Sequence, residues 1–186
     1  MNNEQAMLYA EKERTKKMLK FLIPVTIVMI ILAIVVGIYA NTAGNKKPAS
    51  AETFNIAATT VIKGSFDEEA GYATVSVLDQ LDNKKMFSDV IVCPIDENNS
   101  IYYYVFNNKG NAKSFFSGNA RKMKTAMKDA LPDDIEQENL ENYSFYTASA
   151  NGRYATIIRV NKTVFYADVE EEHADKVKKI VNMLDY

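Results

Sequence analysis

The chain has 186 residues, with 22 Lys/Arg against 24 Asp/Glu, 47% hydrophobic residues, one cysteine and one histidine. A lone cysteine excludes an internal disulfide framework and a cysteine-based zinc site. Residues 1–40 hold five basic and three acidic side chains, while residues 41–186 hold 17 and 21. The larger part is therefore weakly acidic, and it lacks the basic patch that supplies most nucleic-acid affinity.

Phe21 to Tyr39 is a run of nineteen uncharged residues. At 1.5 Å per residue it spans about 28 Å, close to the roughly 30 Å hydrocarbon layer of a bilayer. A signal-peptide apolar region is shorter, about 7–15 residues. Pro24 lies in the first turn, where its missing N–H costs little. Arg14, Lys16, Lys17 and Lys20 crowd the N-terminal flank, and positive flanks stay in the cytoplasm. The expected layout is a cytoplasmic segment 1–18, a transmembrane helix 19–40, a tether 41–49 and an extracytoplasmic domain 50–186. Ala49-Ser50-Ala51 has the form of a signal-peptidase site but ends twelve residues past Tyr39. A retained anchor is preferred; release by cleavage after Ala51 is the alternative.

Gly44, Asn45 and Pro48 keep the tether irregular. Ser50 then caps a helix whose apolar positions are Phe54, Ala57, Ala58 and Val61, with Gly64 ending it. "SFDEEAG" (65–71) reads as a turn. "YATVSVL" (72–78) alternates like a strand, although Ala70, Ala73, Val77 and Leu81 also fit a helix; strand is preferred. "DVIVCPI" (89–95) and "SIYYYVF" (100–106) are strands joined by the polar loop "DENN". A helix follows, with Ala112, Phe115, Phe116, Met123 and Met127 near one face and Pro132 beyond it. "DDIEQENLEN" (133–142) reads as an acidic connector. "YSFYTAS" (143–149), "RYATIIRV" (153–160) and "TVFYADV" (163–169) are three strands, with Asn151-Gly152 as a hairpin turn and Asn161-Lys162 as a second turn. In the middle strand, Tyr154, Thr156, Ile158 and Val160 alternate with Ala155, Ile157 and Arg159, so one face is expected to be buried and the other partly so. "EEEHADKVKKIVNMLDY" (170–186) is a closing helix with an acidic start and a Val177, Ile180, Val181, Leu184 stripe.

These elements describe an α+β domain with antiparallel strands and two or three helices packed on one side. The likeness of "IYYYVFNNKGNAKSF" (101–115) to "TVFYADVEEEHADKV" (163–177) also admits a tandem β-β-β-α arrangement.

The ending "YSFYTASANGRYATIIRVNKTVFYADVEEEHADKVKKIVNMLDY", with "SAETF" (50–54) and "AKSFF" (112–116) before it, resembles an uncharacterised family of single-span membrane proteins of low-GC Gram-positive bacteria. In that family a Tyr-rich strand leads through Asn-Gly-Lys-Tyr and "NTVIY" to a helix ending in Gly-Tyr. Here Arg153 replaces the Lys and Asp185 the Gly. The resemblance implies a membrane-anchored α+β domain outside the cytoplasm, and it carries over no catalytic residue.

The residues offer little chemistry. His173 follows three glutamates and could join Glu170 or Glu172 on a metal, but it reads better as an exposed first-turn residue. A hydrolase triad would have to use His173, and no Gly-x-Ser-x-Gly accompanies it. Cys93 reads as a buried apolar thiol. The acidic run from Asp133 to Glu141 lacks the central glycine of a calcium loop. Among consecutive strand tyrosines the side chains alternate, so Tyr102 and Tyr104 face away from Tyr103. With Tyr154 and Tyr166 they form the candidate recognition surface. The expected function is a membrane-anchored cell-surface interaction or sensory module without catalysis and without cofactor or metal. Its expected partners are the lipid bilayer and another membrane or cell-envelope protein, with no nucleic acid. The alternatives are an envelope hydrolase with an unrecognised site and the secreted effector cut after Ala51.

Overall fold

The computed structural model describes residues 46–62 and 73–186. The cytoplasmic segment, the apolar span and the first half of the tether lie outside the described residues. Among the described residues no helix is long and apolar enough to cross a membrane.

Helix α1 (Ala51–Ile62) starts where expected: Ser50 Oγ accepts the Thr53 N–H at 3.0 Å, which satisfies one of the free donors of the first turn. It buries Phe54, Ala57, Ala58 and Ile62. The strands are β1 (Val75–Ser76), β2 (Phe87–Pro94), β3 (Ser100–Phe106), β4 (Ile135–Asn139), β5 (Tyr143–Ala150), β6 (Arg153–Val160) and β7 (Thr163–Glu170). Among the described residues they form one seven-stranded sheet in the order β1-β2-β3-β7-β6-β5-β4, each neighbour antiparallel. Helix α2 (Lys109–Ala126) follows β3, and helix α3 (Ala174–Met183) follows β7. The α+β class with antiparallel strands is observed.

The helices do not share one side, contrary to expectation. Phe54, Ala57, Val177 and Ile180 of α1 and α3 join Ile101, Tyr103, Phe165 and Ala167 in one core. Ala112, Phe116, Ala120 and Met123 of α2 join Phe106, Ile157 and Val164 in a second core on the opposite face. The reason lies in β6. Tyr154, Ile158 and Val160 are buried in the first core, Ala155 and Ile157 in the second. A strand apolar on both faces needs cover on both. The expectation that one face of β6 would be only partly buried is corrected accordingly.

Two β-β-β-α runs are present, β1–β3 with α2 and β5–β7 with α3. They are not copies related by a two-fold. A local dyad between antiparallel β3 and β7 stands perpendicular to the sheet and would put both helices on one face.

Three further expectations are corrected. Of the described residues of "YATVSVL", Val75 and Ser76 join the sheet, and the chain turns into a 3-10 helix at Leu78–Gln80. The closing helix begins at Ala174, after a 3-10 turn at Glu171–His173. The acidic connector is a 3-10 turn, Pro132–Asp134, running into β4. Local propensity disfavours Glu, Gln and Asn in strands, but the free edge of β5 offers a ladder, and Ile135 packs against the α2 core. The hairpins hold: Asn151 and Gly152 both take positive φ, 54° and 72°, and Asn161 takes 56°, as two-residue turns between twisted strands require.

Candidate functional site

The four candidate tyrosines do not form one surface. Tyr102 and Tyr166 pair across β3 and β7 with ring centroids 6.1 Å apart, and Tyr102 stacks on Tyr104 at 6.0 Å. These three lie half-buried on the α2 face, where Phe115 of α2 sits 4.6 Å from Tyr104. Burial pushes the Tyr104 phenol up, with the nearby Tyr102 and Tyr166 adding to the shift. Tyr154 is buried on the opposite face. Tyr103, between Tyr102 and Tyr104, stacks on Phe54 under α1 at 4.8 Å.

A hollow lies away from Tyr102, Tyr104 and Tyr166. Helices α1 and α3 leave part of β5 and β6 open, and a groove of about 510 Å³ runs between those strands and α3. Phe145, Thr147 and Ser149 of β5 with Tyr154, Thr156 and Ile158 of β6 line it. Val181, Asn182 and Tyr186 border it on the helix side; Asp133, Asp134 and Glu136 border it on the other. Tyr143 closes one end, with Lys46 Nζ 4.9 Å from its ring centroid, while Lys178 Nζ stands 5.2 Å from that of Tyr154. Burial raises the phenol pKa of both tyrosines; the charge of Glu138 adds to this at Tyr143, while at Tyr154 hydrogen bonding to Thr147 and Thr156 opposes burial and the charge of Glu136. The groove thus combines aromatic rings, hydroxyls and carboxylates in one open channel. Of its residues, sequence reasoning singled out Tyr154 as a surface residue. A usable signal was the shared period of two in Tyr143, Phe145, Thr147, Ser149 and in Glu136, Glu138, which puts each set on one face.

The groups best able to do chemistry are engaged away from the groove. His173 is buried, not exposed as expected. Its Nε2 stands 2.6 Å from Asp96 Oδ2. Asp96 also accepts the backbone N–H of Asn98 and Asn99 at 2.8 Å and the Asn99 amide at 2.9 Å. The Asn98 bond leads a set of hydrogen bonds that pulls the Asp96 carboxyl down to about 2 against the opposing effect of desolvation. As an ionised acceptor it requires a proton on His173 Nε2. Asn99 Oδ1 in turn accepts the Glu170 N–H at 2.9 Å. Together these bonds tie the β2–β3 loop to the start of α3. Glu170, Glu172 and His173 do bring three ligand-type atoms within 4.8 Å of one another; the Asp96 bond engages Nε2 and leaves Nδ1 as the ring nitrogen with a lone pair. Cys93 is buried as expected, and desolvation pushes its thiol up to about 12, far from the thiolate a nucleophile needs.

The end of the tether belongs to the domain body. Ala49 N–H donates to Tyr186 Oη at 2.8 Å and Ala49 O accepts from Tyr103 Oη at 2.6 Å. Tyr186 Oη lies 2.8 Å from Tyr103 Oη and 3.0 Å from Thr163 Oγ1. Lys46 Nζ donates to the Asp185 carbonyl at 3.3 Å.

No protein-family model matches the chain, and no curated protein does. Among solved structures it is similar to a GTP-binding regulator from Thermotoga maritima, at 14% identity and a TM-score of 0.29. The likeness covers 52% of this chain and 63% of that one.

Proposed function

We propose that this chain is a membrane-anchored cell-surface interaction or sensory module that works without catalysis. Residues 1–18 lie in the cytoplasm, 19–40 span the membrane and 50–186 stand outside. The partner is another membrane or cell-envelope protein, and neither cofactor nor nucleic acid takes part. The groove carries this reading: rings, hydroxyls and carboxylates line an open channel, while the histidine and the cysteine serve the fold. Retention of the anchor has separate support. Cleavage after Ala51 would remove the Ser50 cap and the Ala49 bonds to Tyr103 and Tyr186, all of which belong to the folded domain. The family resemblance at the C-terminal end points the same way.

The test is intact mass and fractionation in a Gram-positive host, followed by photo-cross-linking on intact cells from a reactive residue at Asn182, on the groove wall. Full-length protein in the membrane pellet and a cross-link to an envelope protein support the proposal. A product starting at Glu52 in the medium overturns the anchor. One observation favours an envelope hydrolase as the second reading: Asp133, Asp134 and Glu136 share one rim of the groove. Turnover of a cell-wall substrate that disappears in both Asp133→Asn and Glu136→Gln would establish it.

A further inference from the structure

This inference rests on the recognition reading and names what the surface takes. Strand β4 ends the sheet; it pairs with β5, and among the described residues nothing pairs with its outer edge. Four of its five residues are exposed. Such an edge presents free N–H and C=O groups to any extended chain.

The side chains decide which chain fits. Glu136 and Glu138 pair with Thr147 and Phe145, so they project on the groove face, where Asp133 and Asp134 continue the acidic rim. Ile135 and Gln137 pair with Ala148 and Tyr146 and project on the α2 face. On that side a second hollow of about 400 Å³ is bordered by Arg121 and Lys124, and Lys124 Nζ donates to Gln137 Oε1 at 2.7 Å. The groove face of the edge is therefore acidic, while the basic groups near its other face, Arg121 and Lys124, belong to α2 and share their hollow with Glu138. A second copy is a poor occupant. Antiparallel pairing of two β4 strands centred on Gln137 sets Glu136 of each against Glu138 of the other, and like charges directly opposite destabilise a ladder.

We propose that β4 accepts, as an eighth strand, an extended segment of a partner protein with Lys or Arg at every second position, those side chains lying on the groove face against Glu136 and Glu138. Main-chain hydrogen bonds supply the affinity, and the carboxylates set register and partner choice. The groove face already accommodates ammonium groups, those of Lys46 and Lys178 over Tyr143 and Tyr154.

The full-length protein in a non-ionic detergent tests this, with three synthetic peptides as probes. One alternates Lys with Thr and Val; one has the same composition with its lysines contiguous; one has Glu in place of Lys. The alternating Lys peptide is expected to bind, to weaken as salt rises, and to slow hydrogen exchange at the β4 amides. E136Q/E138Q is expected to weaken it by about tenfold, and E136K/E138K to prefer the Glu peptide. Equal affinity for the contiguous peptide, or binding that leaves β4 exchange unchanged, overturns the proposal and leaves generic charge attraction. So does a concentration-dependent dimer that protects β4 without peptide. Exchange is read on the wild-type chain, so a misfolded variant does not blunt the test. The outcomes separate from those of the parent reading. Peptide binding by a protein found outside the membrane fraction overturns only the placement, whereas an unprotected β4 in a membrane-anchored protein overturns only this inference.

Discussion

Asp96 shows how one side chain can order two elements. Its carboxylate gathers the β2–β3 loop and His173, and its folded pKa falls from 3.8 to about 2. A depressed folded pKa means that the unfolded chain binds its proton first as pH falls. The stabilisation is therefore present above the ordinary carboxylate pKa and is lost as pH drops through the window from 3.8 to about 2. The urea midpoint of the wild type is expected to exceed that of Asp96→Asn near neutral pH, and the gap to close across that window. A gap that persists at the acid end would show that ionisation of Asp96 is not the source. Arg159 works in the same spirit at the other end of the sheet. It is fully buried, and the two N–H groups of its Nη2 are shared among the carbonyls of Leu140 and Glu141 and Ser144 Oγ, at 2.8–3.0 Å. A guanidinium that bonds carbonyls instead of a carboxylate fixes the β4–β5 turn, and with it the edge proposed as the docking strand.

Among the elements, the β5–β6 hairpin sets the floor of the groove. Its turn depends on Gly152, whose φ of 72° suits glycine. A Cβ added there meets nothing within 4 Å, so the cost of Gly152→Ala is purely conformational, about 1–2 kcal/mol. The expected result is a lower urea midpoint with an unchanged slope; a neutral effect would mean that the turn relaxes to another type. Strand β4 shows the opposite relation between residue and element. Its composition is that of a loop, and it becomes a strand because β5 presents a free edge and Ile135 has a core to enter.

Over the whole molecule, the C-terminal residue holds the entry of the domain. The hydroxyl protons of Tyr103 and Thr163 go to the carbonyls of Ala49 and Val160. That leaves Tyr186 to accept from Ala49 N–H and to donate toward Tyr103 or Thr163. Tyr186→Phe strands that N–H and is expected to cost about 1–3 kcal/mol in urea unfolding of the full chain. It is also expected to speed hydrogen exchange at Ala49. Faster exchange without loss of stability would show that the clamp orders the tether but does not hold the fold.

Much of this architecture could be read from residue order alone, because it depends on local chemistry. The period of two in β2, β3 and β5–β7, the Asn-Gly turn, the Ser50 cap and the helical stripes of α2 and α3 are all written in neighbouring residues. Two-sided cover of the sheet was latent in β6, where both alternating sets of residues are buried. Only the tertiary structure decided the rest. Tyr154 parts from Tyr102, Tyr104 and Tyr166 because strand parity sends it to the other face. His173 is buried because a loop 77 residues earlier carries its partner Asp96. The acidic run becomes an edge strand because, among the described residues, β5 has no other neighbour on that side. Each of these outcomes rests on a contact between segments distant in the chain, and the choice among such contacts is made by the packing of the whole domain.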